Sequence, residues 1–237
     1  PNINEIKKHI PNISVYYKSK DVIGGDFYWF FKKNDYHYIA TIDCTGHGIP
    51  GALMSMTVHS LLNEIANIEK IESPSKILSL LHEKINKTLR QHRGDEYSQD
   101  GCDLSLLRID FKNKELTYTG AHNDIYTYDG KSLSTLKVTK KSIGGLSMLG
   151  VSEPTREFSE NTIPIIEGSL VVLTSDGIPE QLNLKNEAFA NNELQNMITE
   201  MYSLNSVERS NLIESKINEW MKGVKQQDDQ LIIGIKF

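Results

Sequence analysis

Five aspartates in four short segments carry the chemistry this chain could do: Gly24-Gly25-Asp26, Asp43-Cys44-Thr45-Gly46-His47-Gly48, Ser175-Asp176-Gly177 and Asp228-Asp229, with Asp103 a further acid, in Asp100-Gly101-Cys102-Asp103. Each of the four segments stands where a run of strand-forming residues begins or ends. Carboxylates at strand ends suit hard divalent cations, which take oxygen ligands and leave their remaining positions to water or phosphate. Taken singly, these segments are ordinary turns: an Asp after Gly-Gly, a Gly-rich joint ahead of Pro50, a Ser-Asp-Gly turn, a polar strand entry. Their shared placement is what points to a site.

The elements that must position them can be read from periodicity. Strands are expected over 13–17, 27–31 and 36–42, the last two joined by Asn34-Asp35, a good hairpin pair. A two-residue loop there makes facing residue numbers sum to 69, which sets Asp26 opposite Asp43. Directly opposed side chains have Cβ atoms about 4.5–5.5 Å apart, and like charges there repel. A cation between them would turn the repulsion into binding. After Gly48 the period becomes helical, with Pro50 in the first turn and Leu53, Met54, Val58, Leu61, Leu62 and Ile65 on the apolar face. Ser73-Pro74 starts a second helix with Ile77, Leu78, Leu81, Ile85 and Leu89 inward.

Segment 91–101 reads as a loop. Strands follow at 102–110, 115–121, 124–128 and 132–138, then a Gly- and Ser-rich loop over 140–156 and strands near 157–163 and 169–174. Helices are expected around 191–203 and 206–222, the second capped by Ser206 with Leu212, Ile213, Ile217 and Trp220 inward, before a last strand over 231–237. Hairpins imply antiparallel sheets and segregated helix pairs imply covered outer faces. The expected fold class is therefore α+β: a four-layer α-β-β-α sandwich of two mostly antiparallel sheets flanked by helix pairs. In such a sandwich the antiparallel pairs 26/43 and 176/228 meet at one rim.

Composition bounds the alternatives. The chain has 237 residues, 38% hydrophobic and 24% charged, and a net charge of −5; this fits one large globular domain and argues against a nucleic-acid surface. Its apolar runs, such as Leu170-Val171-Val172-Leu173, are too short to cross a bilayer. Cys44 and Cys102 show no CxxC spacing, fit a reducing cytoplasm, and read as small buried residues. Residues 1–12, with Ile3, Ile6 and Ile10 at helical spacing before Pro11, read as a linker or the end of an upstream helix, and residues 13–237 as the domain itself. The first residue is Pro1, which suggests a domain excised from a longer chain.

The ordered segments Gly24–Phe30, Ile42–Ala52, Gly120–Asn123, Ile143–Gly145, Leu173–Gly177 and Asp228–Ile233 resemble the metal-dependent serine/threonine protein phosphatases (PPM family), in their bacterial SpoIIE/RsbU-like branch. The resemblance runs from about Tyr16 to Phe237. It implies two divalent cations, Mn²⁺ or Mg²⁺, bridged by Asp43 and helped by the Cys44 carbonyl. Asp176 and Asp228 complete one shell and Asp26 serves the other, with Asp229 in support and Asp103 near an accessory position. It implies hydrolysis of phosphoserine or phosphothreonine on a signalling protein by metal-activated water. An anti-sigma-factor antagonist is the kind of substrate suggested, and an upstream sensor domain the kind of regulator.

The pattern also departs from the family. His47 follows Asp43 by four residues where eukaryotic members have a histidine at two, so an acid role is not carried over to it, nor to His122. Trp29 stands where many branch members have Asp. A non-catalytic or gated module of the same fold, acting by partner binding, is the alternative function. A diguanylate-cyclase reading of Gly24-Gly25-Asp26-Phe27 fails, because that motif needs a second acidic residue at a hairpin tip and Phe27 stands there instead.

Overall fold

Strand β3 (Tyr36–Cys44) shows how the molecule is layered. Its alternate side chains leave on opposite faces: Tyr38, Ala40, Ile42 and Cys44 enter one apolar cluster, and Ile39 enters another. The computed structural model describes residues 1–68, 71–91, 99–145, 153–190 and 192–237. Three apolar clusters fill the spaces between four layers. The first lies between the six-stranded sheet and the helices α2 (Gly48–Ala66) and α3 (Pro74–Thr88). The second lies between the two sheets. The third lies between the five-stranded sheet and α4 (Asn192–Met201) and α5 (Ser206–Trp220). The α-β-β-α sandwich expected from element order is the observed architecture.

The five-stranded sheet runs β1 (Ile13–Lys18), β11 (Gln230–Lys236), β10 (Leu170–Thr174), β6 (Ile125–Tyr128), β7 (Leu133–Leu136). The six-stranded sheet runs β2 (Phe27–Lys33), β3, β4 (Gly101–Asp110), β5 (Glu115–Ala121), β9 (Glu160–Pro164), with the short β8 (Ile143–Gly144) paired to β4. All ladders between these strands are antiparallel. Residues 19–26 carry the chain from β1 in one sheet to β2 in the other.

The Asn34-Asp35 turn behaves as its composition suggests. Lys33 pairs with Tyr36 and Phe27 with Ile42, so the register sum is 69, and Asn34 takes the left-handed φ of +55° that such turns demand. Most of the apolar faces expected for α2 and α3 are buried, Met54, Val58, Leu62 and Ile65 on one and Ile77, Leu78, Leu81 and Ile85 on the other. Leu61 and Leu89 are half-buried beside them, but Leu53, expected on the α2 face, is exposed. Ser73 caps α3, its hydroxyl accepting from Lys76 N–H.

Three elements differ from the sequence expectation. The cap of α5 is Asn205, whose side chain accepts from Val207 and Glu208 N–H in a full capping box, and Ser206 is the first helical residue. Strand β8 lies inside the segment read as a loop, because two residues are too short to show a period. Strand β9 starts at Glu160, three residues later than its apolar pattern suggested. Residues 3–7 form the helix α1, capped by Asn2, and Ile6 and Ile10 are buried in the cluster between the sheets. The expected loop segments include residues 92–98 and 146–152, and the expected helix at 191 begins on a residue of the same kind; these lie outside the described residues.

Candidate metal-binding rim

One end of the sandwich collects strand termini of opposite polarity. In the six-stranded sheet these are the start of β2, the end of β3 and the start of β4; in the five-stranded sheet, the end of β10 and the start of β11. Continuing the β2–β3 register sets Asp26 beside Asp43, and the β3–β4 ladder sets Asp43 directly opposite Asp103. On the other sheet Ser175 N–H donates to Leu231 O at 3.0 Å. That register would face Asp176 toward Gln230, so Asp176 and Asp228 are diagonal neighbours and not the directly opposed pair expected. Asp43, Asp103, Asp176 and Asp228 all line one cavity of ≈ 340 Å³, with Cys44, Thr45 and the Gly144–Gly145 turn.

The carboxyls at this rim are mutually destabilising. Burial first, then the Asp26 and Asp176 charges, pushes Asp43 far above the usual carboxylate range. Burial likewise raises Asp26, with the Asp229 charge adding and a hydrogen bond from Ser175 opposing. Asp176 is raised by burial and the Asp228 charge, while its hydrogen bond with Asp43 lowers it. Like charges this close raise one another's proton affinity, as expected when carboxylates share one site. Asp103 is also raised by burial, against a Ser142 hydrogen bond and the nearby charges of His122 and Lys140. Asp26 Oδ2 and Asp103 Oδ1 are buried without a hydrogen-bond partner, and an orphaned buried acceptor is an expensive feature unless something cationic meets it.

The donor set fits a hard divalent ion: oxygen donors, crowded like charge and two unpaired buried acceptors. Among the described residues, however, no three His, Cys, Asp or Glu side chains stand together as a ready ligand group. The Cys44 thiol is turned to Cys102, its directly opposed cross-strand neighbour, and burial pushes it well up. Its sulfur is thus part of the packing. Gly51 shows why this turn is glycine-rich: a Cβ there would lie 2.1 Å from Gly46 O, so any larger residue would push α2 off the Asp43 loop.

His47 pairs with Asp21, Nδ1 to Oδ2 at 2.8 Å, and stands at the cap position of α2 without a capping hydrogen bond of its own. His122 has a left-handed φ of +60°. Asp229 is buried and accepts only backbone N–H groups, at Lys20, Gly25 and Asp26. Trp29 is wholly buried, its Nε1 donating to Asn63 Oδ1 at 2.9 Å. Two supporting residues had no signal in the sequence. His82 is buried on α3, and its Nδ1 accepts Gly144 N–H at 2.9 Å. Arg156 is buried and donates to Gly144 O at 3.2 Å. Both anchor the turn at the cavity wall from elements distant in sequence. Ser175, which bonds Asp26, lay within a motif already singled out, but its partner is on the other sheet.

The profile of the family described as Stage II sporulation protein E (SpoIIE) matches residues 33–237. The chain belongs to the SpoIIE family. It is 25% identical over 169 residues to "Phosphoserine phosphatase RsbP" of Bacillus subtilis (strain 168), a match covering 70% of this chain and 39% of that protein. The chain thus spans about two fifths of that relative. Its fold is similar to the SiaA-PP2C domain of Pseudomonas aeruginosa, with a TM-score of 0.86 at 23% identity, covering 99% of this chain and 90% of that one. It is also similar to the phosphatase domain with a regulatory fragment of SpoIIE from Bacillus subtilis, with a TM-score of 0.71 at 18% identity, covering 95% and 63%. This SpoIIE-family domain therefore has the PP2C-type fold, which is consistent at family level with serine/threonine phosphatase activity.

Proposed function

We propose that this domain is a Mn²⁺- or Mg²⁺-dependent protein phosphatase that hydrolyses phosphoserine or phosphothreonine on a signalling protein. The observation that carries the reading is the gathering of carboxylates from both sheets around one rim cavity. Asp43 and the Cys44 carbonyl, with Asp176 and Asp228, would hold one ion; Asp26 would serve a second, which Asp43 also reaches. Asp103 stands where an accessory ion would be met. Bound ions supply Lewis acidity, neutralising charge on phosphoryl oxygens and acidifying water.

The chain's own residues prepare the site. The Ser175 hydroxyl, from the opposite sheet, favours the charged form of the Asp26 carboxyl. Thr45 closes the Asp43 turn onto β4, its N–H donating to Gly101 O at 3.0 Å and its Oγ1 accepting Gly101 N–H at 3.0 Å. His82 and Arg156 hold the turn at the cavity wall. Placement of this kind is where phosphoryl-transfer enzymes gain most of their rate. Neither cysteine is asked to be a nucleophile.

The name of the RsbP relative supports a phosphoserine substrate. A structure holding "RsbU and RsbW domains", similar with a TM-score of 0.70, supports a place in sigma-factor regulation, with an anti-sigma-factor antagonist as substrate and a sensor domain upstream. No described helix is long and apolar enough to cross a membrane, and the reading places the domain in the cytoplasm. The test is hydrolysis of p-nitrophenyl phosphate with and without millimolar MnCl₂, in wild type, Asp43→Asn and Asp176→Asn. Mn²⁺-dependent turnover that both substitutions abolish supports the reading. Folded protein that neither binds Mn²⁺ nor turns over would leave a partner-binding module.

A further inference from the structure

Asp228 and Asp229 are adjacent, yet their side chains have different surroundings. Asp228 is exposed at the cavity. Asp229 is 2% exposed, and its carboxylate is ringed by backbone donors. Oδ1 accepts Lys20 N–H at 2.7 Å; Oδ2 accepts Gly25 N–H at 2.6 Å and Asp26 N–H at 3.2 Å. Bonds of this charge-assisted kind are roughly twice as strong as neutral ones, and with two donors Oδ2 has both lone pairs engaged.

The three donors belong to residues 19–26, where the chain crosses from the five-stranded to the six-stranded sheet. Asp229 stands at the head of β11, on the five-stranded sheet. One carboxylate therefore ties the two halves of the rim together, immediately behind Asp26. Gly24 completes the fit: a Cβ at this position would lie 2.2 Å from Asp229 Oδ2, so only glycine lets the loop close around the acid. The Gly-Gly-Asp and Asp-Asp motifs, 203 residues apart, are the two sides of one contact.

We propose that Asp229 is a positioning residue whose carboxylate clamps the Gly24-Gly25-Asp26 crossover to β11 and so holds the Asp26 carboxylate against Asp43, leaving cation ligation to Asp228. The clamp is a matter of backbone hydrogen bonds and stands by itself; its effect on cation binding rests on the metal-dependent reading above.

The experiment pairs amide hydrogen exchange with Mn²⁺ titration by calorimetry, in wild type, Asp229→Asn, Asp228→Asn and Gly24→Ala. In Asp229→Asn the Lys20, Gly25 and Asp26 amides should exchange at least tenfold faster. Mn²⁺ affinity should fall by about 10–100-fold, the usual effect of losing a residue that orients a ligand, with the number of ions bound unchanged. Asp228→Asn should do the reverse, lowering the number of ions bound while those amides stay protected. Gly24→Ala reaches the same contact from its other side and should reproduce the Asp229→Asn pattern, which covers the case in which Asp229→Asn does not fold. Unchanged protection of the three amides in Asp229→Asn would overturn the clamp. A lost ion in Asp229→Asn with the amides still protected would make Asp229 a ligand. Wild type that takes up no Mn²⁺ would sink the metal reading instead, and the amide exchange alone would then decide the clamp.

Discussion

The two ends of the sandwich are built on opposite principles. At the rim end, carboxylates from both sheets crowd together, raise one another's proton affinity and leave two buried oxygens without partners. At the far end the same strands finish in a run of ring contacts: His9 stacked on Phe30 at 5.7 Å, His9 tilted beside His37 at 5.4 Å, His37 edge-on to Phe111 at 5.3 Å, and Phe111 near Phe237 at 6.3 Å. That run joins the segment after α1, the six-stranded sheet and the C-terminal end of β11. Burial of apolar and aromatic surface closes the far end without help from a ligand. The rim end, in contrast, is held apart from its own best energy, which is the mark of a site kept for binding.

Substitutions at the two ends should therefore move activity and stability in different directions. The largest effect is expected at Asp43. Asp43→Asn should lower Mn²⁺-dependent turnover by on the order of 10²–10³-fold, the scale of losing one electrostatic contact to a transition state. It should also raise the denaturation midpoint of the metal-free domain, because it removes the most strongly destabilised acid of the rim. Turnover within twofold of wild type would remove Asp43 from the mechanism.

At the far end Ile13 is fully buried and paired with Ile235. Ile13→Ala should cost about 2–5 kcal/mol, with about 2–4 °C of Tm lost for each kcal/mol in a domain of this size. Turnover of the folded fraction at 25 °C should be unaffected. A matching fall in turnover would show that the two ends are not independent.

Adding the cation sharpens the contrast from the other side. A ligand present at a hundredfold excess over its Kd stabilises by about 2.7 kcal/mol, so saturating Mn²⁺ should raise the Tm of wild type clearly and that of Asp43→Asn little. Equal shifts in both proteins would mean that Mn²⁺ binds elsewhere.

The smallest effect concerns His37. Burial first, then His9 and Lys32, holds its imidazole below the ordinary histidine range, with Asp35 acting weakly the other way. The neutral ring is thus favoured in the folded protein. Its contribution is whole above the ordinary histidine value of about 6.5 and is lost as pH falls below that value and through the lower one of the folded protein. His37→Phe should flatten the fall in Tm between about pH 7.5 and 5.5. Superimposable acid limbs in the two proteins would leave the far end without a titrating weak point.

Local chemistry was legible in the sequence. Asn34-Asp35 set the register that brings Asp26 beside Asp43, since a two-residue turn leaves the flanking strands one way to pair. The spacing of Met54, Val58, Leu62 and Ile65, and of Ile77, Leu78, Leu81 and Ile85, marked the helix faces that became buried. Strand alternation and segregated helix pairs were enough for the four-layer sandwich, because each face must be covered by something. The misses were also local in cause. A two-residue strand such as β8 has no period to read, and Asn205 and Ser206 are both good caps, so only backbone geometry separates them.

The site itself divides along the same line. Sequence determined which residues carry oxygen donors and, through one turn, that Asp26 and Asp43 are neighbours. Tertiary structure alone decided that Asp176 and Asp228 sit diagonally and not face to face, that Ser175 reaches Asp26 from the other sheet, that His82 and Arg156 brace the cavity wall, and that Asp229 closes on the crossover around Gly24. The physical reason is range. Turn and helix geometry act over a few residues, whereas these contacts join elements up to 209 residues apart and exist only once burial has packed one sheet upon the other.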